Sequence, residues 1–186
     1  MAKKPKIAIV GRPNVGKSTL FNKLSGKRAS IVDQMEGVTR DRVYSSAEWL
    51  SQEFNIIDTG GYVSSNEDIF NEKIKVQISA ALEECDGIIF LVDGKDGLNP
   101  NDQFLSKIIR KSGKKFVLGV NKCDTPEHYI RKDQFFDMGF ENPIPISALN
   151  GAGVGDMLDN LFEVIDFSMI SKSNDCLLYT SDAADD

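Results

Sequence analysis

Apolar residues fall along this chain in short unbroken runs that alternate with segments of helical period. Lys6–Val10 is a β-branched run without polar alternation, as a strand buried on both faces should be. Leu20, Phe21 and Leu24 then share one stripe of a predicted helix over 17–24 that ends near Gly26. Residues 25–42 are polar and without period, which predicts a loop. Val43–Leu50 and Glu53–Ile57 read as two strands joined at Ser51-Gln52, and so short a connection makes them antiparallel. Residues 58–67 again read as loop. Ile74, Ile78, Ala81, Leu82 and Cys85 recur at helical spacing, Gly87 ends that helix, and Ile88–Val92 is a buried strand. Phe104, Leu105, Ile108 and Ile109 predict a helix over 102–111, which leads through Gly113 to a strand over Phe116–Val120. A weaker helical pattern covers 127–138. The strand Pro143–Ile146 carries two prolines and belongs at a sheet edge. A last helix over 155–167 turns Met157, Leu158, Leu161, Phe162 and Ile165 inward.

Strands alternating with helices give an α/β fold: three layers, a mostly parallel sheet with one antiparallel strand pair, and helices on both faces. Ligands bind such sheets at the carboxyl ends of the strands. The polar signatures of this chain follow the ends of predicted strands.

The first is Gly11-Arg12-Pro13-Asn14-Val15-Gly16-Lys17-Ser18, between the strand ending at Val10 and the helix carrying Thr19-Leu20-Phe21. It matches the P-loop pattern, whose backbone N–H groups wrap nucleotide phosphates. Gly11 and Gly16 let the backbone turn tightly and approach an anion without a Cβ in the way. Lys17 offers an ammonium to the β/γ-phosphates and Ser18 a hydroxyl to Mg²⁺. The helix N-terminus adds unsatisfied N–H groups and a positive dipole end. The fold expected is therefore that of a P-loop NTPase.

Three further signatures follow in order. Asp58-Thr59-Gly60-Gly61 places an aspartate at a strand end, suited to holding Mg²⁺ through a water. Gly61 can present its N–H to a γ-phosphate and swing away when that group leaves. In Asn121-Lys122-Cys123-Asp124, the Asp124 carboxylate can accept from guanine N1–H and the 2-amino group, whereas adenine would leave it unpaired. Asn121 can contact the base edge and brace the phosphate loop, and the Lys122 stem can pack on the base. In Ser147-Ala148-Leu149, the Ala148 N–H can reach guanine O6. Each of the last three motifs is weak alone; their order is the signal.

Composition narrows the partners. The 186 residues are 41% hydrophobic and 27% charged, ordinary for a soluble domain. Half of the net charge of −6 sits in residues 171–186, where Asp175, Asp182, Asp185 and Asp186 face Lys172. The chain shows no basic stripe of a nucleic-acid binder, so DNA is not an expected partner. The three cysteines, Cys85, Cys123 and Cys176, are scattered and lack metal spacing, which fits a reducing cytoplasm. No run approaches the ~20 apolar residues of a membrane span.

The order Gly11–Ser18, Thr39, Asp58–Gly61, Asn121–Asp124 and Ser147–Ala148 resembles the translation-factor-like GTPases. Gly11–Asn22 with Gly37-Val38-Thr39-Arg40-Asp41 and Asp58-Thr59-Gly60-Gly61 resembles the Der/EngA family of double-domain ribosome-assembly GTPases. Val38 and the Gly60-Gly61 pair point to its first G domain, and the similarity spans about residues 5–167. The resemblance implies a cytoplasmic GTPase switch that binds GTP and GDP with Mg²⁺ and acts on the large ribosomal subunit or its precursor. It implies that Thr39 closes over Mg²⁺ and the γ-phosphate, with Lys17 and Gly61 as its catalytic companions. The implied nucleotide contacts are Gly11, Asn14, Val15, Gly16, Lys17, Ser18, Thr19, Asp58, Gly61, Asn121, Lys122, Asp124, Ser147, Ala148 and Leu149, with Ser18, Thr39 and Asp58 on Mg²⁺. Gln34-Met35-Glu36 departs from the family's more usual Asp-Thr-Pro before Gly37. Tyr62 stands where Ras-like proteins carry a water-orienting glutamine. Asn14 matches a position that ligates K⁺ in related GTPases, where the cation replaces an arginine finger. Arg12, Arg40 and Arg42 are weaker candidates for such a finger. His128, the single histidine, reads as surface.

From Ser168 the pattern stops. Cys176–Asp185 matches the translation of the mosaic-end adapter used in transposase-based sequencing libraries. The expectation is a GTP-binding domain over 1–167 and a tail over 168–186 outside it, with 176–186 artefactual. The family's second G domain and KH-like domain would then be missing, and with them most of the RNA-binding surface. Two function classes stand beside a GTPase switch. One is a nucleotide-sensing binding module with negligible turnover; the other, a P-loop ATPase or kinase, is opposed by Asn121–Asp124.

Overall fold

Strands apolar on both faces need cover on both, and the chain supplies it with helices on either side of one sheet. The computed structural model describes residues 4–26, 43–60 and 67–166. Its elements are β1 (Lys6–Val10), α1 (Lys17–Ser25), β2 (Val43–Trp49), β3 (Gln52–Asp58), α2 (Glu67–Glu84), β4 (Gly87–Asp93), α3 (Pro100–Lys111), β5 (Lys115–Asn121), α4 (Pro126–Ile130), β6 (Pro143–Pro145) and α5 (Val154–Val164). The sheet order is β2-β3-β1-β4-β5-β6. The β2–β3 pair is antiparallel and every other pairing is parallel.

Successive strand residues feed opposite cores. Ile7, Ile9, Ile89 and Leu91 join Leu20 and Phe21 of α1 and Met157, Leu158 and Leu161 of α5. Ala8, Val10, Ile88, Phe90 and Val92 join Ile78 and Leu82 of α2 and Leu105 and Ile109 of α3. Cys85 is buried on this second side, as its helical spacing suggested.

Four expected boundaries shift for physical reasons. The β2–β3 hairpin turns on Leu50 and Ser51, one residue earlier than expected, so that Trp49 pairs with Gln52. Both turn residues have positive φ, 48° and 64°, the pair of left-handed conformations that matches strand twist in a two-residue hairpin. The segment 127–138 is not one helix: α4 stops at Ile130 and Arg131–Met138 continues as a 3₁₀ helix. Phe135 and Met138, both buried and three residues apart, suit its three-residue turn. Helix α3 starts at Pro100, because Asn99 caps it by accepting from the Asn101 N–H at 2.9 Å and proline fits the first helical position. Helix α5 ends at Val164; Ile165 is extended and buried. β6 lies at the sheet edge, as its prolines predicted.

β1 sits at the point where the sheet's strand order reverses, with β3 on one side and β4 on the other. That switch point opens a crevice at the carboxyl ends of the strands.

Candidate nucleotide-binding site

β1 delivers the chain into the loop Gly11–Gly16, and α1 begins at Lys17. Gly16 has φ 101°, and a Cβ there would run into the Asn121 side-chain amide; at Gly11 a Cβ would strike the Leu91 carbonyl oxygen. Both positions therefore exclude a side chain on geometric grounds. Among the described residues no side chain caps the N-terminus of α1, and its first turn holds no acid, which suits its N–H groups to an anion. Lys17 is buried and its Nζ donates to the Arg12 carbonyl at 2.8 Å. Burial lowers its pKa to about 8 against the opposing pull of Asp58. The loop thus satisfies the ammonium with its own backbone. Asn14 adopts φ 65°, and its side chain and that of Thr19 are exposed, whereas Val15 is buried.

The end of β3 lies beside this loop, since Ile9 and Asp58 are register partners. Ser18 Oγ donates to Asp58 Oδ2 at 3.0 Å, and Asp58 Oδ1 accepts from the Gly60 N–H at 3.0 Å. Thr59 Oγ1 donates to the Ile9 carbonyl at 2.8 Å, locking the turn onto β1. A hydroxyl and a carboxylate held side by side form an oxygen donor set suited to Mg²⁺, which keeps waters and phosphate oxygens as its other ligands. Thr39, Gly61, Tyr62, Arg40, Arg42 and Cys176 lie outside the described residues.

The base-side motifs converge on Asn121, at the end of β5. Its Nδ2 donates to the Val15 carbonyl at 2.8 Å, and its Oδ1 accepts from the Ala148 N–H at 2.8 Å. One buried amide therefore ties the phosphate loop, β5 and the β6–α5 loop together. The Ala148 N–H, expected to reach guanine O6, is engaged by Asn121 here; a buried N–H takes the acceptor at hand. Leu149, next in the chain, is 78% exposed. Ser147 Oγ donates to Asp124 Oδ1 at 2.7 Å, and Lys95 Nζ lies 2.9 Å from Asp124 Oδ2. Lys95 and then Ser147 hold the Asp124 carboxyl below its ordinary pKa.

Sequence reasoning missed a second carboxylate on this side. Asp93 ends β4 directly opposite Asn121 on β5 and receives Lys122 Nζ at 2.5 Å. Burial pushes the Asp93 pKa up, but Lys122 and the Asp96 and Lys95 backbone N–H groups outweigh it and leave it lowered. The available signal was its position at a strand's carboxyl end. Lys122 itself has φ 65°, which turns the chain sharply after Asn121. Arg12 is tethered rather than free: Nη2 reaches Asp96 at 3.0 Å and Nε reaches the buried Asp102 at 3.4 Å. His128 lies on α4 with Nδ1 3.2 Å from Thr125 Oγ1. Among the described residues, no three metal-binding side chains of His, Cys, Asp or Glu cluster together.

A phosphate loop at the switch point, joined by a buried asparagine to an Asn-Lys-x-Asp turn, defines a P-loop protein of the GTPase class. The family model for 50S ribosome-binding GTPases matches residues 6–122, and the chain belongs to that family. It is 50% identical over 184 residues to a GTPase Der of Macrococcus caseolyticus, covering 92% of this chain and 42% of the relative. It is 54% identical over 162 residues to a GTPase Der of Clostridium kluyveri, covering 86% of this chain and 36% of the relative. The chain thus spans about two fifths of the length of these relatives. Among solved structures, an Era variant of Aquifex aeolicus bound to GDP.AlF4- superposes with a TM-score of 0.71 at 29% identity, over 88% of this chain and 57% of that one. Era in complex with MgGDPNP and 16S ribosomal RNA gives 0.70 at 29% identity, over 89% and 58%. The resemblance drawn from the motifs and the expected three-layer fold both agree with these relatives. Among the described residues, no helix is long and apolar enough to cross a membrane.

Proposed function

We propose that the chain is a guanine-nucleotide switch domain that binds GTP and GDP and hydrolyses GTP. The observation that carries this reading is the Asn121 bridge, which fixes the phosphate loop and the base motif at one spacing. Lys17 exchanges the Arg12 carbonyl for the β/γ-phosphates, and the loop and α1 N–H groups surround them. The two Asp124 oxygens accept from guanine N1–H and the 2-amino group, oriented by Ser147, while the Lys122 stem, steered by Asp93, covers the base. Val15, Thr19, Ala148 and Leu149 complete the nucleotide contacts. Ser18 and Asp58 would hold Mg²⁺, joined by Thr39. When bound, that ion neutralises phosphate charge, the main requirement of phosphoryl transfer. Gly61 N–H senses the γ-phosphate.

Tyr62 in place of glutamine leaves water positioning to backbone groups, and Asn14 is proposed to ligate K⁺ in the place of an arginine finger. The similarity to GTPase Der extends the proposal to a cytoplasmic role in assembly of the large ribosomal subunit. In that setting, residues 1–167 act as the G domain, 168–186 lie outside it, and 176–186 are adapter-derived. Ribosome contacts would then come mainly from domains that the 186 residues do not include. Fluorescent GDP binding, competed by GTP and ATP with and without Lys17→Ala, tests the nucleotide reading. Competition by ATP at GTP concentrations would overturn it. Multiple-turnover phosphate release in K⁺ buffer separates an enzyme from a nucleotide-sensing module.

A further inference from the structure

The guanine-recognising carboxylate is already occupied by a cation of the chain itself. Asp124 offers two oxygens: Oδ1 accepts from Ser147 at 2.7 Å and Oδ2 from Lys95 at 2.9 Å. Guanine brings two donors on one edge, N1–H and the 2-amino group, and an edge-on pairing needs both oxygens. Ser147 lies on the neighbouring loop and its hydroxyl can keep a second lone pair of Oδ1. Lys95 Nζ holds Oδ2, the oxygen that one of those two donors needs.

The backbone under Lys95 is fixed. Gly94 N–H donates to the Asn121 carbonyl at 2.7 Å, and Gly97 N–H to the Asp93 carbonyl at 3.1 Å. Asp93 Oδ1 accepts from the Lys95 and Asp96 N–H groups at 2.8 and 3.1 Å. Asp96 is in turn held by Arg12 of the phosphate loop at 3.0 Å. The turn Asp93–Gly97 is therefore a rigid mount spanning base side and phosphate side. The Lys95 side chain is about half exposed.

We propose that Lys95 is a gate on the base site, an internal competitor that holds Asp124 until the guanine edge displaces it. The proposal rests on the reading that Asp124 takes guanine. An exposed ion pair contributes little, so the gate tunes affinity and entry without blocking the site. Removing it strengthens guanine-nucleotide binding by about two- to fivefold.

The test uses the full chain and stopped-flow binding of fluorescent GDP, with GDP and ADP as competitors. Lys95→Gln raises GDP affinity about two- to fivefold, with a faster association rate, and Lys95→Arg stays at the wild-type value. ADP competition, which asks nothing of Asp124, is the same in all three proteins. An unchanged or weakened GDP affinity in Lys95→Gln overturns the gate while leaving the guanine reading intact. Failure of the wild-type chain to bind GDP overturns that reading and the gate with it.

Discussion

Asn121 holds Val15 across a sequence separation of 106 residues, its Nδ2 donating to the Val15 carbonyl at 2.8 Å while its Oδ1 takes the Ala148 N–H. Gly16 lacks a side chain because that amide occupies the space a Cβ would need. One buried side chain therefore ties the Gly11–Ser18 loop, the end of β5 and the loop after β6 together. Asn121→Ala strands a carbonyl and an N–H, each worth about 1–3 kcal/mol when left unsatisfied. We expect about 2–4 kcal/mol lower stability in urea unfolding, with loss of GDP binding. Asn14→Ala, on the exposed part of the same loop, strands no buried group and should cost only about 1 kcal/mol, for placing alanine at a φ of 65°. Equal effects of the two variants would contradict the bridge.

If Asp124 reads the base by accepting twice, as proposed, exchanging an oxygen for an amide should exchange the base. Asp124→Asn presents a donor where guanine also donates, but it complements the 2-oxo group of xanthine. GDP affinity should drop about a hundredfold, less than a fully buried polar site would give, because the Asp124 side chain is 30% exposed. Competition of fluorescent GDP and XDP against the variant measures both halves, and an unchanged GDP affinity would remove Asp124 from the base site.

The parts legible in the sequence were those written locally. Lys6–Val10 and Ile88–Val92 announced two-faced strands by composition, and motif order placed Gly11–Ser18, Asp58 and Asn121 at one sheet end. What escaped joins residues far apart in sequence: Lys95 to Asp124, Lys122 to Asp93, and Arg12 to Asp102. An ion pair leaves no period, so neither partner stands out before the strands align Asp93 with Asn121. The early start of α3 was readable in Asn99-Pro100, a cap followed by a first-turn proline. The 3₁₀ turn at Phe135 and Met138 was not, because a three-residue spacing also fits one face of an α-helix.

Asn14 separates two ways of accelerating hydrolysis. Arg12, the described candidate for an arginine finger, is engaged by Asp96 and Asp102, which draws its guanidinium toward α3. If K⁺ at Asn14 supplies the missing charge, GTP turnover runs clearly faster in KCl than in NaCl at equal ionic strength. Asn14→Ala should erase the difference, whereas Arg12→Gln should preserve the salt preference. Equal wild-type rates in the two salts would sink the cation reading.

Asp102 links the phosphate loop to pH. It is fully buried at the start of α3, its Oδ1 has no hydrogen-bond partner among the described residues, and Arg12 Nε stands 3.4 Å from Oδ2. Burial raises its pKa from 3.8 to about 6, although Arg12 pulls it back. A carboxyl whose folded value is raised binds more protons in the folded chain between these two values. Its contribution to stability is therefore complete below pH about 4 and is lost as pH rises through about 6. Two pH units correspond to about 2–3 kcal/mol. Other acids titrate in the same range, so the informative quantity is wild-type stability minus that of Asp102→Asn, which keeps the shape and removes the proton. That difference should fall by about 2–3 kcal/mol between pH 4 and 6 and level off near pH 7. A difference flat across the window would mean that Arg12 holds Asp102 ionised throughout, making the tether a permanent ion pair rather than one that loosens in acid.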